Sequence, residues 1–319
     1  MSEYPSETKL ELVGVINLAF KLEVHGLLIR SGKAKEILGA ADVQPITLRR
    51  MYRVDGRDYV IEVPYIPASS LKGRARSLLE LALNLPLYTT DGKIYLHMRV
   101  VRNDIVDPDP YCPIDNMFGT PALDAKRLAE QGHEHLFKCW APTRSIFRDL
   151  FPSLDYVKEL CNTKGGCGYI TLDDFVEEKW ENGLDRVTST ADPRNLLRLR
   201  PGVVFDGGVS ILLFDLDICP RKECEEKSTY VNKIKDEGSP AKFYFKTLLR
   251  GFELVEMTYL GASGTRGYGE VRFRDLKAEF KPVTQRAAAA AGGIEGSNLG
   301  EFLAKVDKWE LWEVLKKLC

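Results

Sequence analysis

Between Leu12 and Val24 the chain alternates. Leu12, Ile16, Leu18, Phe20, Leu22 and Val24 occupy even positions, with Gly14 the one gap, while Glu11, Asn17, Lys21 and Glu23 occupy odd ones. Successive side chains of a strand point to opposite faces, so this run specifies a long strand buried on one side only. His25-Gly26 ends it. Residues 27–53 mix Gly32, Gly39 and Pro45 with many cations and read as an irregular loop region, followed by a short extended run from Tyr59 to Pro67. Helical spacing then takes over. Leu71, Ala75, Leu78, Leu79, Ala82 and Leu85 share one face behind Ser69-Ser70, which reads as the cap.

Later segments are less regular. Residues 86–170 are rich in Pro, Asp and Gly and hold Cys112, Cys139, Cys161, Cys167 and three of the four histidines. They read as an insertion with helical parts and a candidate zinc site. Asp173 to Leu199 has few apolar residues and many turn formers, which predicts an exposed hairpin or arm. Val203–Leu216 reads as a strand pair or one long strand, Ala241–Val255 as a helix, and Glu270–Phe280 as the last strand. Residues 286–294 read as a linker and Gly300–Leu318 as an amphipathic helix. The order is strand, loop, helix, insertion, strand, helix, strand. It predicts an α+β protein with a ferredoxin-like, RNA-recognition-motif-like core formed by residues 10–85 and 200–281, interrupted by large insertions.

Composition narrows the class. The 319 residues suffice for a full core plus insertions, and 44% hydrophobic with 29% charged residues is ordinary for a soluble globular chain. The formal net charge of -1 supplies no global basic field, so any nucleic-acid contact must come from local patches. No apolar run reaches the length of a membrane span, and residues 1–9 carry no signal-peptide core, so a cytoplasmic protein is expected. Seven irregularly spaced cysteines argue against a disulfide framework.

Two local patterns point towards a phosphate-bearing polymer. Gly261-Ala262-Ser263-Gly264-Thr265-Arg266-Gly267-Tyr268-Gly269 packs four glycines, a cation and an aromatic ring into nine residues. It meets neither mononucleotide spacing, GxxxxGK[ST] nor GxGxxG. A flexible loop before a strand and a backbone-cradling surface both fit it. Lys72, Arg74 and Arg76 lie in the first two helical turns, off the apolar face, where cations oppose the helix dipole. A phosphate ligand would offset that cost, and a solvated basic face explains the same residues.

Five separated segments together resemble one family. Tyr65-Ile66-Pro67-Ala68-Ser69-Ser70-Leu71-Lys72-Gly73-Arg74 is similar to its YIPGSSLKGKLR, and Phe118-Gly119-Thr120 to its FGS. Pro142–Asp149 resembles its PTRxxxRD, and Asn182–Arg194 its NxIDRxTxxAxPR. Tyr259–Gly269 resembles its YLGGxGSRGYG. The family is the guide-RNA-binding backbone subunit of Csm-type (type III-A) CRISPR effector complexes, within the RAMP superfamily. The matches run in order from about residue 10 to 281.

That resemblance implies a lid insertion around residues 27–64 and a thumb-like hairpin over 171–199. Copies would associate along a guide crRNA as a filament with other type III subunits, and complementary target RNA would pair with the guide. Lys33, Arg49, Lys72, Arg74, Arg76, Arg186, Arg194 and Arg266 are the implied RNA contacts. Such contacts bind backbone and leave sequence to base pairing. The nuclease aspartate of the family falls on Asp42, in Leu38-Gly39-Ala40-Ala41-Asp42-Val43. There a carboxylate, with Mg2+ or a similar divalent ion, would assist attack by the adjacent 2′-OH. Capping the turn before Pro45 is the structural alternative for Asp42. A non-catalytic RNA-binding scaffold is the rival function. A guide-processing endoribonuclease using His25 is a third, disfavoured because the family histidine aligns with Leu28. Members also carry a cluster ending in CxxCxxFG. Here Asp115 replaces the second cysteine, and Cys112, His133, His135 and Cys139 are the candidate ligands for a structural Zn2+.

Overall fold

The computed structural model describes residues 8–29, 45–290 and 292–319. Its centre is the Leu12–His25 strand, whose even residues from Ile16 to Val24 are buried and whose odd ones are half-buried or exposed. It pairs antiparallel with Val203–Phe214 on one side and with Glu270–Pro282 on the other. Val203–Phe214 pairs in turn with Ser145–Phe147. Numbered along the chain, the four core strands stand in the order fourth, first, third, second. Helix Ala68–Ala82 links the first to the second, and helix Pro240–Met257 the third to the fourth. This is the double split βαβ of a ferredoxin-like fold.

Both helices cover one face of the sheet. Leu71, Ala75 and Leu79 of the first meet the second, which buries Phe245, Leu248, Leu249, Phe252 and Val255. Phe252 stacks on Phe273 with centroids 4.4 Å apart, and Phe20 packs edgewise against both at 5.3 and 5.1 Å. Each such side chain contributes about 1.5–3 kcal/mol by leaving water, so this aromatic triad locks strand to helix.

Several elements depart from the sequence expectations. Helix Ala68–Ala82 is not capped by Ser69 or Ser70. Its first N–H, on Ala68, donates to Asp149 at 2.7 Å, across 81 residues of chain. The region expected to be irregular to residue 53 contains a strand: Thr47–Val54 pairs with Arg57–Pro64 through the Asp55-Gly56 turn. The second core strand, Ser145–Phe147, lies inside the span read as an insertion, because three residues carry no readable period. Gly292–Asn298, which begins inside the span 286–294 read as linker, adds a strand to the outer edge of Glu270–Pro282. Two short helices follow instead of one, Leu299–Val306 and Leu311–Lys316, with Trp309 and Trp312 about Phe245 at 6.1 and 6.0 Å.

The expectation against disulfides is overturned as well. Cys139 bonds Cys224, Cys161 bonds Cys167, and Cys219 bonds Cys319, leaving Cys112 free. Cys161–Cys167 closes a local loop of 6 residues, while the other two pairs are 85 and 100 residues apart and are brought together by tertiary folding. Among the described residues no helix is long and apolar enough to cross a membrane.

Candidate nucleic-acid interface

The glycine loop is held by its own close packing. A Cβ on Gly269, whose φ is +84°, would lie 2.0 Å from the Leu260 carbonyl oxygen; one on Gly264 would lie 2.0 Å from the Tyr259 ring. The Gly269 N–H donates to Gly26 and its carbonyl accepts from Leu260, which ties the loop to the end of the central strand. Side chains are excluded at these positions whether or not a ligand is present.

Arg74 fastens this loop to the first helix. Its Nε donates to the Tyr259 carbonyl at 3.0 Å, one terminal nitrogen reaches Thr258 Oγ1 at 3.2 Å, and the guanidinium lies 4.0 Å from the Tyr259 ring centroid. Arg76 turns inward. It pairs with Glu80 at 2.7 Å and donates to the carbonyls of Gly119 and His97, so its donors are committed to the fold and the expected RNA contact is corrected. Lys72 differs from both. It is half-buried at the start of the second turn, the first turn holds no acidic residue, and Lys72 makes no ion pair among the described residues. Burial, and secondly the charge of Arg76, lower its pKa. An ammonium held partly out of water without an anion is suited to receive one.

The opposite wall is the arm, Val176–Leu184 paired with Ala191–Leu199. It is pinned to the glycine loop from one side. Arg266 bridges Glu181 at 3.1 Å, and Lys179 Nζ sits 4.0 Å from the centroid of Tyr268. Tyr268 is only 1% exposed, so its ring is the floor on which the arm rests and not a free stacking face. Arg266 keeps 57% of its side chain exposed beside that joint. At the tip, Asp185 accepts from the N–H groups of Thr188 and Val187, which hold its carboxyl below the usual range and shape the turn. Arg186 and Arg194 are exposed on this tip, Arg194 beside Asp192 at 3.4 Å. Arg49 is exposed on the Thr47–Val54 hairpin. Asp42 and Lys33 lie outside the described residues. His25 Nε2 lies 3.3 Å from Glu23 at the strand end.

Among the described residues the expected zinc ligands form no cluster. Cys139 is consumed by its bond to Cys224, which removes the thiolate a metal needs. His133 precedes and His135 lies within the short helix Glu134–Lys138. A different cluster forms, from His97, Cys112 and Asp115, all buried, with ligand atoms within 4.8 Å of one another. His97 Nδ1 lies 3.0 Å from the Pro86 carbonyl, which fixes the tautomer and leaves Nε2 facing Cys112 Sγ at 3.4 Å and Asp115 Oδ2 at 3.5 Å. Asp107 Oδ2 stands 3.4 Å from the same nitrogen. Both Asp115 oxygens are buried without a hydrogen bond. Burial opposes protonation of His97, yet the Asp115 carboxylate and the Cys112 sulfur outweigh it and push its pKa up to about 11. The site therefore calls for positive charge, and an N, S and O donor set with orphaned carboxylate oxygens fits a divalent ion such as zinc. The signal for it was Cys112-x-x-Asp115 itself, with the aspartate standing in the cysteine's place.

Comparison with known proteins bears on the whole chain. The RAMP superfamily pattern matches residues 53–272. The chain is similar to a protein named CRISPR system Cms endoribonuclease Csm3 from Methanothermobacter thermautotrophicus, 31% identical over 251 residues, 79% of this chain and 82% of that one. A protein of the same name from Mycobacterium tuberculosis is 27% identical over 303 residues, covering 92% of this chain and 94% of its own. Among solved structures, the Methanopyrus kandleri Csm3 crystal structure aligns over 93% of this chain and 97% of its own, with 16% identity and a TM-score of 0.47.

Proposed function

The chain belongs to the RAMP superfamily and to its Csm3 family, and on that premise we propose that it is the guide-RNA-binding backbone subunit of a type III-A CRISPR effector complex and cuts target RNA paired to the guide. One observation carries the binding reading. Lys72, half-buried and without an ion pair among the described residues, sits on the helix that Arg74 ties to the glycine loop, and the arm is pinned to that same loop through Arg266 and Glu181. Together these make a surface with cationic groups on both sides, suited to a phosphate backbone. Lys72, Arg266, Arg186, Arg194, Arg49 and Lys33 contact RNA in this reading; Arg74 and Arg76 act by holding the surface. Sequence is left to guide–target pairing. Copies of the chain associate along the guide, together with other subunits of the effector.

Asp42 is the catalytic residue of this reading. The nucleophile is already present in RNA as the 2′-OH next to the scissile phosphate, so the protein need only hold that linkage in line and take up the 2′-OH proton. The 2′-oxygen bonds phosphorus, the 5′-oxygen leaves with a proton, and the products are a 2′,3′-cyclic phosphate and a 5′-hydroxyl. A divalent ion such as Mg2+, when bound, neutralises charge building on the phosphate oxygens. A second, structural ion, with zinc the best match, belongs at His97, Cys112 and Asp115, with Asp107 the nearest further donor.

Assembly with guide RNA and the other type III subunits tests the function directly. A matched target should be cut at regular intervals to ends with a 2′,3′-cyclic phosphate, and a chelator should stop the cutting. An assembled complex that binds target and leaves it whole would make the chain a scaffold. Cutting that persists in chelator and shortens the guide precursor would favour the processing reading.

A further inference from the structure

The C-terminal segment lies beyond the span matched by the RAMP pattern, and no residue of it enters the RNA-binding reading. Gly292–Asn298 is the outermost strand of the sheet, and among the described residues no strand lies beyond it. An outermost strand presents a row of N–H and C=O groups that invites another strand. This one carries none of the usual guards within itself: it has no proline, one charged residue, and a register with Glu270–Pro282 that runs without a bulge. Helix Leu299–Val306 supplies the guard instead. Leu299, Phe302 and Val306 are buried, with the Phe302 ring 6.4 Å from that of Phe245. The helix lies so close over Gly296 that a Cβ there would be 2.8 Å from the Phe302 nitrogen. Glu301 and Lys305 then reach the strand. Glu301 Oε2 accepts from the Ser297 N–H at 3.0 Å, Lys305 Nζ donates to the Glu295 carbonyl at 2.8 Å, and the two side chains pair at 2.7 Å. Backbone groups of alternate residues in an antiparallel strand point the same way. Glu295 and Ser297 are two residues apart, so the occupied groups belong to one row, the row facing away from Glu270–Pro282. The far end of the segment is tied back through Cys319 to Cys219.

We propose that helix Leu299–Val306 is a cap that closes the outer edge of the sheet against strand pairing with a second copy of this chain, with Glu301 and Lys305 as the groups that hold the edge shut. A second copy is the partner the edge fits, because two identical antiparallel edges pair about a two-fold axis and satisfy each other's open row. Such pairing joins two chains edge to edge and stops there. Association along a guide instead needs each copy to follow the last head to tail. The cap therefore separates the two modes of self-association. It acts on the chain itself and holds whether or not the chain binds RNA.

The test uses full-length protein without RNA and follows self-association by sedimentation at matched concentrations. Glu301→Ala with Lys305→Ala removes both capping groups and leaves the buried Leu299, Phe302 and Val306 in place. This double variant should self-associate at least about tenfold more tightly than wild type, since each freed edge group regains a partner worth roughly that factor. Adding Glu295→Pro deletes an N–H in the outward row, where an edge strand tolerates proline, and should return the double variant to wild-type behaviour. Emission of Trp309 and Trp312 reports whether the C-terminal helices stay packed. If the double variant loosens them, Lys305→Ala alone frees only the Glu295 carbonyl and should show a smaller gain, again removed by Glu295→Pro. Self-association equal to wild type in the packed variant overturns the cap. So does a gain that Glu295→Pro leaves in place, since the contact would then lie elsewhere on the molecule.

Discussion

Replacing Lys72 with methionine separates a phosphate-receiving cation from an ordinary surface charge. Lys72→Met keeps the length and apolar stem and removes the ammonium. In the folded protein that side chain is half-buried at the start of the second turn of helix Ala68–Ala82, with no acidic residue in the first turn and Arg76 one turn further on. Its pKa is lowered by burial first and by Arg76 second, so the folded state disfavours the charged form relative to the unfolded chain. The sign follows from linkage: the penalty is present at neutral pH, where both states are charged, and lifts as pH rises through the lowered folded value. A cation at a helix N-terminus costs about 0.3–1 kcal/mol, less the screening of its exposed half. Without RNA, Lys72→Met should therefore be more stable than wild type by about 0.5 kcal/mol, a Tm rise of about 1–2 °C. With RNA the sign reverses. A charge-assisted bond to phosphate is worth about 1.5–3 kcal/mol, so affinity should fall roughly ten- to hundredfold, and the slope of log affinity against log salt should shrink by about 0.7. Thermal unfolding and RNA titrations at several salt concentrations read both effects. A variant that is less stable and binds RNA as wild type does would refute the reasoning.

Other substitutions probe the frame. Gly269→Ala forces a Cβ onto the Leu260 carbonyl at a positive φ, so it should cost about 1–3 kcal/mol in denaturant unfolding and weaken RNA binding by displacing the loop. Asp217→Asn leaves the fully buried Arg144 without its anion at 2.9 Å and should cost about 3–5 kcal/mol, whereas Arg144→Met with Asp217→Leu should recover much of that in the same assay. Asp115→Ala should lower the zinc content of purified protein measured by mass spectrometry, while Cys139→Ala should leave it unchanged, because Cys139 is bonded elsewhere. Glu301, held down to about 2 chiefly by Lys305 and then by Ser297, contributes stability that is complete above its ordinary value of 4.5 and lost as pH falls towards 2. The fluorescence of Trp309 and Trp312 should therefore report loosening of the C-terminal helices in that window, and Glu301→Gln should remove the transition.

What the sequence made legible was whatever repeats. The Leu12–Val24 alternation and the apolar stripe of helix Pro240–Met257 gave the central strand and its cover, because burial on one side imposes a period. Ser145–Phe147 is too short to have one, and only its pairing with Val209–Ile211 makes it a strand. Asp55-Gly56 is a strong hairpin signal, but the exposed Arg49, Met51 and Val60 around it blur the alternation. At the interface, residue type pointed to the place and not to the role. Arg74 and Arg76 lie two residues apart; one clamps Tyr259, 185 residues on, and the other pairs with Glu80 one turn away and donates to the Gly119 and His97 carbonyls, a difference that spacing alone does not show. The metal site failed for the same reason: His133 and Cys139 looked close by spacing, while His97 reaches Cys112 only through the folded insertion. The two disulfides that close long loops are legible only in three dimensions.

The central claim is that this backbone subunit itself cuts RNA, and Asp42→Ala in the reconstituted complex tests it most directly. With guide, matched target and divalent ion, the variant complex should assemble and bind target as wild type does, and the regularly spaced fragments should disappear from a denaturing gel. Cuts of the same spacing and rate in the Asp42→Ala complex would contradict the account.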